Sequence, residues 1–153
     1  MSSFTHYWEG GTCDYLFETG QEGKPLVHTA GKAFTSRGIG VGDKVYVVNI
    51  ASGVLYLIGR LEVAKIVSKS EAERLMGGDV WDAPEHLIAR QGSSTPMHFG
   101  QIVPLRITKA LLFDGSKGYQ PLKFVSEEIL DRQTLRGVRR LTDSSALLLE
   151  KLL

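Results

Sequence analysis

A single cysteine, Cys13, stands in 153 residues, which excludes a disulfide within the chain. Histidine is nearly as sparse. His6, His28, His86 and His98 show no H-x-x-x-H spacing and, with one thiol between them, make neither a structural zinc set nor a metallonuclease pattern, so no metal is expected. His28 beside Thr29 reads as a hydrogen-bond partner near a helix cap, and His86 as a structural residue. No apolar run reaches the roughly 18 residues that a membrane-spanning helix needs. The start "MSSFTHYW" has no basic region followed by an apolar stretch, so no signal peptide is expected and the protein is expected in the cytoplasm. An excess of one charge is missing too. Lysine and arginine number 18 against 17 acids, a formal net charge of +1, which excludes nucleic-acid binding by bulk charge and leaves only a local patch. Nothing matches a phosphate loop or a dinucleotide fingerprint, and the serines of "GSSTPM" form no nucleophile elbow, so no cofactor is expected. Without repeats or low-complexity tracts, the length suits one domain over 1–153.

What is present is aromatic surface beside permissive backbone. "YWEGGTCDYLF" sets Tyr7, Trp8, Tyr15 and Phe17 around Gly10, Gly11 and Thr12. "FTHYW" alternates as a first strand does, and the stretch from Glu9 to Pro25 reads as a long loop, the kind that often carries function. "TAGKAFTSRG" predicts a short helix capped by Thr29 and stopped by Gly38. "GDKVYVVNIASGVLYLIGRLEVAKIV" predicts a hairpin turning at Ser52 and Gly53. Strict alternation in its second arm puts Leu55, Leu57, Leu61 and Val63 on one face. Arg60 and Glu62 lie on the other, where two charges on a partly covered face pair or line a site. "SKSEAERLMGG" and "WDAPEHLIARQG" both carry helix caps and stops, the second with Asp82, Pro84 and Gly92. "VPLRITKALLF", "PLKFV" and "VRRLT" read as strands, and "DSSALLLEKLL" as an amphipathic helix capped by Thr142 or Asp143. The sum is an α+β chain in which five or six strands and short flanking helices build a small mixed β-barrel, closed so that no sheet edge is left bare.

"YW" at the first strand, "GVGDKVYVV" leading to "LIGRLEV", and the closing "LRGVRRLTDSSALLLEKLL" resemble the EVE domain of the PUA-like superfamily. That resemblance implies a single PUA-like, EVE-like domain whose barrel pocket accepts a flipped, modified base of DNA or RNA, without catalysis of its own. Stacking such a base needs aromatic faces, for which Trp8, Tyr7, Tyr15 and Trp81 are the candidates, Trp8 first. Arg132, Arg136, Arg139 and Arg140 form the local cluster suited to phosphates. A second resemblance competes. Lys32, Thr35 and Arg37 in "GKAFTSR", followed by Gly42-Asp43 and Glu62, are similar to ASCH-type amidohydrolases that deacylate acetylated cytidine. This similarity implies catalysis by Lys32, Thr35 and Glu62, a lysine activating a hydroxyl or water while a carboxylate carries the proton to the leaving amine. A protein-interaction module, its barrel carrying a partner surface, is the third reading.

Overall fold

The computed structural model describes all residues, Met1–Leu153. It is an α+β fold of eight strands and four short helices: β1 (Ser3–Tyr7), α1 (Gly10–Glu18), β2 (His28–Gly31), β3 (Lys44–Ala51), β4 (Val54–Val67), α2 (Lys69–Met76), β5 (Glu85–Ala89), α3 (Leu105–Ala110), β6 (Leu112–Gly115), β7 (Gly118–Pro121), β8 (Val138–Leu141) and α4 (Asp143–Glu150). The strands form one mixed sheet in the order β2-β5-β4-β3-β1-β8-β6-β7. β1 and β3 run parallel, while the remaining neighbours are antiparallel. No helix is long and apolar enough to cross a membrane.

The hairpin of β3 and β4 is the spine, and its turn follows from local chemistry. Ser52 (φ 50°) and Gly53 (φ 75°) both take positive φ, the requirement of a tight two-residue turn whose twist matches the strands. A side chain at Gly53 would meet Ile129 Cγ2 at 2.5 Å, because the 125–130 loop closes over the turn through Leu130 N–H donating to Gly53 O at 3.0 Å. The alternation expected in β4 is broken once. Val47 pairs with Gly59 and Val48 with Leu57, so Ile58 is an extra residue and a β-bulge. Leu55 and Leu57 therefore pack in one apolar cluster with Tyr46, Val48, Phe113 and Leu149. Ile58, Leu61 and Val63 pack in another with Phe4, Trp8, Phe34 and Leu87. The four residues expected on one face are divided between two cores.

The closed barrel of five or six strands is replaced by an eight-stranded sheet whose main-chain ladder ends at β2 and β7. The added strands come from segments whose local signals point elsewhere. "TAGKAFTSRG" contributes β2 and only a single 3-10 turn, Thr35–Arg37, because His28–Gly31 pairs with His86–Ile88 and Glu85 instead of coiling. "WDAPEHLIARQG" becomes β5, drawn into pairing by the long outer half of β4. "DGSKG" turns β6 into β7, and "PLKFV" past Pro121 is irregular apart from the bridge of Phe124 to Leu130. In the opposite direction, Leu105–Ala110 is helical with Pro104 at its N-cap, the place where a missing N–H is harmless. The expected loop after Glu9 holds α1, which begins on two glycines without a side-chain cap and is secured by burying Cys13, with Leu16 packed against the same core.

Side chains do part of what the main chain does not. Thr29 on edge strand β2 receives Trp8 Nε1–H at 2.9 Å, and its Oγ1 lies 2.9 Å from His6 Nδ1 on β1. Three strands separate β2 from β1 in the ladder, so these buried bonds require the sheet to curl around the Trp8 core until its edge meets β1.

Candidate functional site

The C-terminal end of β1 positions the aromatic residues. Trp8 N–H donates to Val48 O at 2.9 Å and Asn49 Nδ2 donates to Trp8 O at 2.9 Å, which fixes the chain just before α1 turns away. Trp8 itself is 4% exposed and presents no open face to a ligand. Its ring meets Trp81 at 86° with centroids 5.4 Å apart, an edge contact that backs the second indole. Trp81 is partly exposed and lines a solvent-open recess of about 740 Å³ together with Thr12 and Tyr15 of α1, Gln21, His28 and Asp79. That volume falls within the roughly 300–1,000 Å³ of small-ligand clefts. Tyr15 is 61% exposed. Of the four candidate stacking residues, Tyr15 and Trp81 share the recess, Trp8 stands behind it, and Tyr7 faces the other core, its hydroxyl donating to Ile50 O at 3.3 Å.

His28 completes the wall, and the buried His86 stands behind it. His28 Nε2 lies 2.8 Å from His86 Nδ1, and His86 Nε2 lies 2.9 Å from Ala83 O. The rings are within 10° of parallel with centroids 5.0 Å apart, and the short N···N contact means that they meet edge to edge in a common plane. His28 also leans over Trp81, centroids 5.7 Å apart. Burial, and then the neighbouring His86, pull His28 down from 6.5 to about 4, so it is neutral near pH 7. Burial alone does the same to His6, also to about 4. Cys13, against the same core, is pushed up to about 11 by burial and stays a protonated, unreactive thiol. No group of three or more histidine, cysteine or acidic side chains is placed to hold a metal ion.

The arginines divide. Arg136 and Arg139 line a polar hollow of about 340 Å³ in which Arg37 and Lys123 join them and Asp131 is the one acid. Arg139 is anchored there by Nη1 donating to Thr134 O at 3.0 Å and by lying 4.7 Å over the Phe113 ring. Burial, then the charge of Arg37, lowers its pKa, a sign that cations are held close together without enough countercharge. Arg132 lines a different groove beside Ile50, Val125 and Ile129, and Arg140 pairs with Asp114 at 3.4 Å. Tyr7 N–H donates to Gly137 O at 3.0 Å and Val138 pairs with His6, so the hollow's Arg136–Arg139 segment lies beside the C-terminal end of β1, the end that leads into the recess.

Lys32, Thr35 and Glu62 are not brought together. The exposed Thr35 hydroxyl donates to Glu85, which also accepts Phe34 N–H at 2.8 Å and so ties down the 3-10 turn. Glu62 pairs with Arg90 at 3.2 Å, beside the opposite end of β5, about 13 Å from Glu85 at the usual rise of a strand. Arg60, expected to pair or line a site, places Nη1 between both Glu150 oxygens at 3.1 and 2.9 Å. Tyr46 donates to the same carboxylate at 2.7 Å, so this cluster anchors α4. Comparison with family models, with curated proteins and with solved structures finds no match for the chain.

Proposed function

We propose that the chain is a nucleic-acid reader of the PUA-like kind, closest to the EVE family, that takes a flipped, modified base into the recess between α1 and Trp81. The observation that carries this reading is the convergence of Tyr15, Trp81 and His28 on one open recess, with the buried Trp8 braced behind Trp81. A flat heterocycle is the ligand for which such walls are suited, since every base has a π-face to stack. The curl that bonds β2 to β1 through Thr29 supports the barrel-like comparison. Arg37, Lys123, Arg136 and Arg139 supply the local positive patch that a chain of net charge +1 needs to hold phosphates. The deacylase alternative finds no support in the placement of Lys32, Thr35 and Glu62.

The test is a binding screen of methylated, hydroxymethylated and acetylated oligonucleotides against matched unmodified strands at low salt, read by fluorescence anisotropy. The expected outcome is preference for one modified strand, weakened by Trp81→Ala. Equal affinity for all strands, or an unchanged preference in Trp81→Ala, overturns the reading.

A further inference from the structure

The paired histidines give the recess a chemical polarity. Ala83 O can only accept, so His86 Nε2 carries a proton and donates to it. In the neutral pair His86 Nδ1 is then an acceptor, which obliges His28 to carry its own proton on Nε2 and to donate. His28 Nδ1 is left with a lone pair and no partner. It is not sealed in: Arg60 Nε is the one buried side-chain nitrogen or oxygen without a hydrogen bond, so the unpartnered Nδ1 of His28 reaches solvent, on a residue that lines the recess. Trp81 Nε1, likewise unpartnered and absent from the buried atoms, also reaches solvent.

Resting on the reader function above, we propose that His28 is the specificity-determining acceptor of the recess. It selects heterocycles whose edge offers an N–H donor, such as an exocyclic amino group, over rings that offer none. His86 is its positioning residue, holding the tautomer that keeps the lone pair turned outward. A donor lacking on the ligand would leave that lone pair facing an apolar ring, and a hydrogen bond of this kind is worth up to about tenfold in affinity.

Two measurements test this. Long-range proton–nitrogen spectra of the unaltered protein at pH 7 are expected to show His28 protonated at Nε2 and bare at Nδ1; the reverse tautomer overturns the proposal without touching the reader function. In binding, the base preferred in the screen is expected to bind about tenfold more tightly when its exocyclic nitrogen keeps an N–H than when the same strand carries the dimethylamino derivative of that base. His28→Ala should erase the difference, and His86→Phe should shrink it while mixing the His28 tautomers. Equal binding of amino and dimethylamino strands overturns the acceptor role alone, whereas failure of every oligonucleotide to bind removes the reader function and this inference with it. Since His86 is fully buried, His28→Ala and the spectrum of the unaltered protein decide the matter even if His86→Phe does not fold.

Discussion

Behind the aromatic recess nearly every polar side chain has a partner: Trp8 and His6 meet at Thr29, His28 is bonded through His86 to Ala83, and Glu85 ties the adjoining turn. In the cationic hollow the balance is reversed. Arg136 bonds Gln133 at 2.9 Å and Arg139 bonds a carbonyl, but none of the four cations is in an ion pair. One region is shaped by satisfied hydrogen bonds on paired strands, the other by unpaired charge on β8 and the turns and loops around it. The first is therefore suited to discriminate between ligands by form, and the second to attract them regardless of form.

The largest effect should come from removing the hydroxyl on which the recess side depends. Thr29→Val strands Trp8 Nε1 and His6 Nδ1 in the core, and each orphaned buried group costs roughly 1–3 kcal/mol, so urea denaturation should show a loss of about 2–6 kcal/mol. A loss below about 1 kcal/mol would mean that the curl is held elsewhere. Acid probes the same core. His6 is lowered from 6.5 to about 4, so the unfolded chain takes up the proton first. Stability is complete above about pH 6.5 and falls as pH drops toward 4, by roughly 3 kcal/mol for His6, with the less buried His28 adding a smaller share. Thermal melts from pH 8 to pH 4 check this, and His6→Gln should flatten the slope. On the ligand side, Trp81→Ala should lower affinity for the preferred oligonucleotide by roughly 1–3 kcal/mol, by the same amount at low and moderate salt. The smallest change is expected from Arg37→Gln, which should weaken all strands alike and reduce the dependence of log affinity on log salt by about 0.7–0.9. If Trp81→Ala altered the salt slope and Arg37→Gln altered base preference, the two regions would not have the separate roles assigned to them.

Local signals made about half of this architecture legible. The hairpin, the Ser68 and Thr142 caps and the opening strand depend on neighbours in sequence, and each is present: both hydroxyls accept the backbone N–H three residues on. β2 and β5 carry helix-like punctuation yet become strands, because the outer half of β4 offers hydrogen bonds that outweigh a weak local preference. α1 was hidden by its two glycines, which carry low helix propensity and no cap. The candidate site was legible in residue type and not in grouping. Tyr15 and Trp81 stand out as aromatics, and Arg136 and Arg139 as a cluster. The bond between His28 and His86 joins residues 58 apart, and Arg37 reaches the hollow from the far side of the curl. Neither has a spacing to reveal it.

Ile58 gives β4 an odd count between its two halves, so the strand serves Leu57 to one core and Leu61 to the other. The extra residue thus acts as a parity correction, letting two leucines an even number of positions apart face opposite cores. Pairing the strand at full length without the bulge would exchange the tenants of the two cores, whereas excising Ile58 would keep every cross-strand partner and cost only that one side chain. For this chain a slip of the outer half of β4 at full length is the graver injury, and a one-codon deletion at the bulge is the change its two cores can absorb.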